Sequence, residues 1–284
     1  MRSRDTRTLA ERALVRLAVA LGPHAGSIIV IGGLNPELLA PMPNARHHGT
    51  ADIDLVIEVG LPYERDEMDF SWLEAGLLRA GFEPGPADRA WRWRTTVDGV
   101  PVFVDILTDT PDSRGQQIAL PGSQLLTAIN LSGPAPAWHE PVARVLAIDA
   151  LDAGPDWPST VTVRFASLGG YLLAKSAAML GRTEPRDSYD LAFVVMHNAE
   201  GGPVTAAEAA FRALPQRRES EFVGDFRAAL GRLVDPDGPD VRAYAAQRLQ
   251  DGESLPADVL AAEVAIAARS CLDSFDALVR PDRS

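Results

Sequence analysis

The pattern of apolar and polar positions divides the chain into a part that mixes strands with helices and a part that is helical throughout. An amphipathic first helix is predicted because its apolar residues fall on one face: Leu9, Ala13, Leu17 and Leu21. The apolar run Ile28–Ile31 then predicts a buried strand that ends on a pair of glycines. A second strand carries Asp52 and Asp54.

The next segment predicts one helix and a β-hairpin. The helix runs from Tyr63 to Gly81, with Gly81 as its C-cap and four residues on its apolar face: Phe70, Leu73, Leu77 and Leu78. Residues 91–97 alternate as a strand, Asp98-Gly99 forms the turn, and residues 100–107 return. The alternating Trp and Arg of the first hairpin strand are best explained by one face in the core and one in water, with stacking on bases as the alternative.

Beyond the hairpin, residues 108–158 are rich in Pro and Gly and are expected to complete the edge of the sheet, with residues 142–148 as one of the short apolar runs. From Phe165 the pattern is helical, with a second helix starting at Pro185. Further helices are predicted at about 204–213, 217–233, 239–250 and 256–279. The predicted fold is therefore α/β: a mixed sheet with flanking helices in residues 1–160, and a helical domain in residues 161–284 that contributes Lys and Asp to the cleft.

Composition and charge limit the classes of protein that fit. The 284 residues carry a net charge of −12, which argues against a protein that coats nucleic acids in general but leaves room for a local basic patch. Cys271 is the only cysteine, so an internal disulfide is impossible and a reducing, cytoplasmic location is expected. The sequence contains no run of 18 apolar residues, so no membrane span is predicted.

Three carboxylates are the first candidates for chemistry. Asp52 and Asp54 are two residues apart on a strand, so both side chains point to one face, ~7 Å apart. Such a pair can hold divalent cations, and Gly32-Gly33 leaves backbone N–H groups uncovered for a triphosphate. Asp105 lies inside an apolar run, where burial is costly unless the carboxylate is paired or binds metal. The alternative is that Asp52 and Asp54 are simply the wet side of an edge strand.

Lys175 is the second candidate, because it is the only lysine among 27 basic residues. It lies in an apolar stripe of the helix after Phe165, together with Leu168, Leu172 and Met179. A compact ammonium can fit against a phosphate where a planar guanidinium cannot; snorkelling along the helix is the structural alternative. Asp187 and Asp190 follow at i, i+3 on a common face of the next helix and are expected to orient Lys175 or an acceptor.

With these residues placed, the chain resembles the nucleotidyltransferase superfamily, and within it the AbiEii-type toxins of toxin–antitoxin systems. The first shared motif is a strand ending in Gly32-Gly33, followed by Thr50-Ala51-Asp52-Ile53-Asp54-Leu55. The second is a helical lysine, here Lys175, followed by Arg186-Asp187-Ser188-Tyr189-Asp190-Leu191. The resemblance covers roughly residues 28–196.

The resemblance implies an enzyme that transfers a nucleoside monophosphate from an NTP to an acceptor hydroxyl, and it points to the 3′ end of tRNA. The implied catalytic residues are Asp52, Asp54, Asp105, Lys175 and Asp190. The implied metal ligands for Mg²⁺, or alternatively Mn²⁺, are Asp52, Asp54 and Asp105. The implied NTP-binding residues are Gly32, Gly33, Thr50, Lys175 and Asp187. A cognate antitoxin protein is the implied partner.

Two other functions use the same residues. An adenylyltransferase acting on a small molecule, as in antibiotic modification, would need the same carboxylates, and the acidic net charge favours it. A non-catalytic nucleotide-binding or interaction module is the third candidate function.

The candidate contacts to RNA are Arg92, Arg94, Arg182 and Arg186. His47 and His48 are expected to make loop or phosphate contacts rather than to bind metal, because Mg²⁺ prefers oxygen ligands.

Overall fold

The computed structural model describes residues 4–42, 50–149, 152, 154, 157–182 and 184–280. His47 and His48, for which loop or phosphate contacts are predicted, lie outside these residues. The chain forms two compact units. The first comprises residues 1–34, 48–135 and 141–166, and the second comprises residues 35–47, 136–140 and 167–284.

The strands all belong to the first unit and form one mixed sheet of nine strands in the described part of the chain. Their bounds are β1 Ile29–Ile31, β2 Asp52–Val56, β3 Glu83–Pro84, β4 Arg92–Val97, β5 Val100–Thr108, β6 Gln117–Ala119, β7 Thr127–Asn130, β8 Val142–Ala147 and β9 Thr160–Phe165. The spatial order is β3-β4-β5-β2-β1-β9-β8, with β7 paired to both β5 and β6. The pairs β2/β5, β1/β9 and β5/β7 are parallel, and the remaining pairs are antiparallel.

The α-helices, in chain order, are α1 Arg4–Leu21, α2 Pro36–Leu39, α3 Pro62–Arg65, α4 Ser71–Arg79, α5 Leu168–Gly181, α6 Pro185–His197, α7 Pro203–Arg212, α8 Glu219–Gly231, α9 Pro239–Gln250 and α10 Ala257–Val279. Short 3₁₀ segments occur at Gly22–Ser27, Ala87–Arg89, Ala135–Trp138 and Gln216–Arg218. None of the helices in the described ranges is long and apolar enough to cross a membrane. The predicted class, a mixed α/β sheet with flanking helices followed by a helical region, is confirmed.

The hairpin formed by β4 and β5 follows the sequence prediction closely. Asp98 and Gly99 have φ values of 51° and 80°, as a two-residue type I′ turn requires. Val97 therefore faces Val100, and pairing continues to Arg92 opposite Asp105. Trp93 is fully buried, which confirms that the alternation of this strand reflects a core face and a solvent face.

The helix predicted from Tyr63 to Gly81 is wrong as a single element. It consists of α3 and α4, separated at residues 66–70. Asp69 Oδ1 accepts a hydrogen bond of 2.8 Å from the backbone N–H of Ser71, the first residue of α4. Leu78 is 48% exposed, whereas Leu73 and Leu77 are buried as predicted. Gly81 follows the helix at φ 79°, as expected of a C-cap glycine.

The second unit is a helical assembly in which α10 packs against α6, α7, α8 and α9. Pro185 is the first residue of α6, as predicted. The first unit extends to Ala166, six residues beyond the predicted division, because β9 pairs with both β1 and β8. Each unit thus contains one part of the predicted chemistry: the strand carboxylates in the first, and Lys175 with its aspartates in the second.

Candidate functional site

Strand β2 presents two carboxylates on one face, as the sequence predicted. Asp52 and Asp54 are partly buried, whereas Ile53 and Leu55 are fully buried on the opposite face. β2 lies between β1 and β5 in the interior of the sheet. The alternative interpretation was that Asp52 and Asp54 are the solvent-exposed side of an edge strand. It is wrong, because β2 is not an edge strand.

Strand β5 brings a third carboxylate to the same place. It runs parallel to β2, and the register sets Asp105 directly opposite Asp54 and Phe103 opposite Asp52. Neighbouring strands lie about 4.8 Å apart, so aligned residues have adjacent side chains on the same face. Asp105 is only 8% exposed. The structure thus brings Asp52, Asp54 and Asp105 together on one face of two adjacent strands.

Arg92 on β4 binds two of these carboxylates at once. One terminal nitrogen of its guanidinium donates to Asp52 Oδ1 at 2.8 Å, and the other donates to Asp105 Oδ2 at 3.1 Å. The guanidinium carbon also lies 4.5 Å from the centre of the Phe103 ring, a distance at which the cation and the ring attract each other. Sequence reasoning assigned Arg92 to RNA and missed this contact. The signal was present, because a two-residue turn at Asp98-Gly99 places residues 92 and 105 opposite each other.

The glycine pair after β1 lets the backbone approach β2 closely. Gly32 has a φ of 85°, and a Cβ added there would lie 1.9 Å from Asp54 Oδ2. A Cβ on Gly33 would lie 2.6 Å from Thr50 Cγ2. The Thr50 hydroxyl accepts a hydrogen bond of 3.0 Å from the backbone N–H of Asp52. Both glycines are therefore required for packing against the carboxylate strand, a role separate from any contact to phosphate.

The carboxylates have the right chemistry for Mg²⁺ or Mn²⁺, both of which prefer oxygen ligands. Within the described ranges, however, no group of three or more His, Cys, Asp or Glu side chains is gathered closely enough to hold an ion. Arg92 supplies the positive charge between Asp52 and Asp105. The oxygen donors of these carboxylates thus have the chemistry that a divalent cation needs, although the described side chains as placed do not enclose one.

Lys175 lies in a buried ion cluster of the second unit. Its ammonium donates to Asp187 Oδ1 at 3.1 Å and to Asp190 Oδ2 at 3.0 Å. Both carboxylates are fully buried, and the lysine side chain is 7% exposed. The predicted orientation of Lys175 by these aspartates is confirmed, and the snorkelling alternative is wrong because the ammonium is paired rather than solvated.

Two basic residues share Asp187. Arg182 Nε donates to Asp187 Oδ2 at 2.7 Å from a half-exposed side chain. Burial by itself raises the pKa of Asp187, but Lys175 and Arg182 outweigh it and hold that pKa below its usual value. Burial likewise disfavours the ammonium of Lys175, yet Asp190 and Asp187 together raise the pKa of Lys175 above its usual value. Lys175 and Asp187 are therefore both charged at neutral pH.

The four arginines proposed as RNA contacts are all engaged with carboxylates. Arg92 binds Asp52 and Asp105, and Arg182 binds Asp187. The two remaining pairs are more exposed: Arg94 with Glu83 at 3.1 Å, and Arg186 with Glu184 at 3.8 Å. Each of these positive charges is thus at least partly compensated before any phosphate arrives.

No protein-family model and no curated protein matches this chain. Among solved structures, the chain is similar to the "Crystal structure of putative nucleotidyltransferase from H. pylori". The alignment covers 98% of this chain and 100% of that one, with 13% sequence identity and a TM-score of 0.40. At this identity and TM-score, neither a shared fold nor a shared activity follows.

The packing of Gly32 against Asp54 predicts a selective effect of added methyl groups. Gly32→Ala should lower the free energy of unfolding by about 1–2 kcal/mol, because alanine is strained at positive φ, and the new Cβ must also displace the Asp54 carboxylate. Gly26→Ala is the matched control, since a Cβ there meets no atom within 4 Å. Denaturant unfolding of both variants measures the difference, and equal stability would contradict this packing.

The ion cluster predicts that Lys175 is needed for stability. Lys175→Met should cost about 3–5 kcal/mol of unfolding free energy, because it removes the ammonium from two buried carboxylates. Arg182→Met should cost less than about 1 kcal/mol, because the Arg182 side chain is half exposed to solvent. Chemical denaturation at neutral pH tests both. A neutral or stabilising Lys175→Met would show that the ammonium does not compensate these carboxylates.

Proposed function

We propose that this chain is a metal-dependent nucleotidyltransferase that moves a nucleoside monophosphate from an NTP to an acceptor hydroxyl. The observation that carries the proposal is the alignment of Asp54 on β2 with Asp105 on β5, with Asp52 on the same face. A glycine turn packs directly against this group. Carboxylates so placed need positive charge between them, which Arg92 supplies here and a divalent cation would supply when bound. A cation site beside a glycine turn suits a triphosphate, because glycine carries no side chain that covers its backbone N–H.

The proposed roles follow from the chemistry of each side chain. Asp52, Asp54 and Asp105 would hold Mg²⁺ or Mn²⁺, which when bound polarises the phosphoryl oxygens and stabilises the developing charge. Gly32 and Gly33 would offer backbone N–H groups to the phosphates. Thr50 accepts one hydrogen bond from Asp52, and its own O–H remains able to donate to a phosphate oxygen.

Two further residues would handle charge and protons. Asp105 is a carboxylate of low exposure that we propose accepts the proton of the acceptor hydroxyl. Lys175 has three N–H donors, of which Asp187 and Asp190 each take one. The third is the donor that would contact a phosphate, with Asp187 and Asp190 fixing the direction of the ammonium.

The acceptor that the family resemblance implies is the 3′ end of tRNA, with the chain acting as the toxin of a toxin–antitoxin pair. A small-molecule hydroxyl is the second candidate. It is favoured by the net charge of −12 and by the pairing of all four candidate arginines with carboxylates. An RNA backbone would have to compete with those carboxylates for each guanidinium.

The test is incubation of the protein with each labelled NTP, Mg²⁺ and a total small-RNA pool, and in parallel with a panel of hydroxylated small molecules. Label on RNA supports the tRNA-type acceptor, and label on a small molecule supports the second candidate. Absence of label transfer under every condition would favour the non-catalytic module.

Asp52→Asn should lower the rate of label transfer by roughly 10²–10³-fold, because a metal ligand contributes several kcal/mol to transition-state stabilisation. The matched control is Asp88→Asn, an exposed carboxylate in the same unit. Turnover of both variants is compared with wild type at equal folded concentration. Activity of Asp52→Asn within a factor of three of wild type would exclude the assignment of Asp52 as a metal ligand.

A further inference from the structure

The guanidinium of Arg92 lies where a cation would neutralise the strand carboxylates. Its two terminal nitrogens contact Asp52 Oδ1 and Asp105 Oδ2, one oxygen of each. We propose that Arg92 is an internal competitor of divalent cations at this site, so that a metal ion binds fully only when Arg92 releases these oxygens. This inference rests on the proposed function in one respect, namely that the metal ion binds at Asp52, Asp54 and Asp105.

Three contacts within the described part of the chain hold Arg92 in place. Two are the charged hydrogen bonds, which lead to different strands, and the third is the ring of Phe103 beneath the guanidinium at 4.5 Å. Guanidinium stays protonated at every pH a protein tolerates. Arg92 therefore cannot leave the site by losing its charge, and only movement of the side chain can free the two oxygens.

The Arg92 side chain can move away because it and its partner Asp52 are partly exposed to solvent. The side chains of Arg92 and Asp52 are 31% and 30% exposed, whereas that of Asp105 is 12% exposed. Water therefore reaches the Arg92–Asp52 contact, and ion pairs open to water are weak. The contact to Asp105 is more sheltered, and Asp105 is consequently the ligand for which competition should be strongest.

A metal ion and Arg92 oppose each other in two ways. Both need oxygens of Asp52 and Asp105, and like charges repel strongly within a few ångströms in a partly buried site. Replacing Arg92 by a neutral side chain of similar size removes both effects. The expected result is tighter binding of a divalent cation to the nucleotide-free protein.

The experiment titrates Mn²⁺ alone into the full chain, with free Mn²⁺ followed by electron paramagnetic resonance. Arg92→Gln should bind Mn²⁺ at least about tenfold more tightly than wild type, equivalent to about 1.4 kcal/mol. Arg94→Gln is the matched control: it lies two residues along the same strand and pairs with the exposed Glu83, so its affinity should equal that of wild type. Arg92→Gln combined with Asp52→Asn should lose most of the gain.

A second variant protects the test against misfolding of Arg92→Gln, which thermal unfolding would reveal. Phe103→Leu keeps an apolar side chain and removes the ring beneath the guanidinium. It should tighten Mn²⁺ binding by a smaller factor, about threefold, because a weak cation–π contact is lost. Equal Mn²⁺ affinity in wild type, Arg92→Gln and Phe103→Leu, including absence of binding in all three, would overturn the proposal.

The two proposals fail in different experiments. If label transfer occurs and depends on Asp52, but Arg92→Gln binds Mn²⁺ with the affinity of wild type, only the proposed competition is wrong. If Arg92→Gln binds Mn²⁺ more tightly and no NTP is ever used, the competition stands and nucleotidyl transfer is wrong.

Discussion

The parallel pairing of β2 with β5 is the constraint on which the candidate site depends. These strands are about 50 residues apart in sequence, yet the register sets Asp54 opposite Asp105. The pairing places three carboxylates on one face, where their mutual repulsion must be offset. β4 supplies the compensation directly, because the hairpin register sets Arg92 opposite Asp105. One alignment of three strands thus creates both the negative charge and its counter-ion.

In each of the two units, one basic side chain bridges two carboxylates. In the first unit one guanidinium bridges Asp52 and Asp105, and in the second one ammonium bridges Asp187 and Asp190. The two clusters differ in exposure. The ammonium of Lys175 and its two carboxylates are almost fully buried, whereas the arginine contact is partly open to solvent. On physical grounds the arginine contact is the one that can exchange with another cation.

Sequence reasoning predicted the elements that depend on local pattern. Alternation along β2 identified Asp52 and Asp54 as neighbours on one face, and the Asp98-Gly99 turn predicted the hairpin. That turn also implied the Arg92–Asp105 pair, which was overlooked because arginine was assigned to nucleic acid. Pairing of β2 with β5 could not be predicted from local pattern, since the crossover between parallel strands varies widely in length above a minimum of about a dozen residues. The split of the helix after Tyr63 was missed because every residue of its predicted apolar face lies at or after Phe70, so that face gave no information on residues 63–69.

The central claim, that the carboxylates of β2 and β5 form a divalent-cation site, is tested most directly by diffraction. Crystals grown with Mn²⁺ and a non-hydrolysable NTP analogue should show an anomalous difference peak in contact with Asp54 and Asp105. The Arg92 guanidinium should then have moved away from Asp105. A structure with the analogue bound, no anomalous peak beside these strands, and Arg92 still bridging Asp52 and Asp105 would contradict the account.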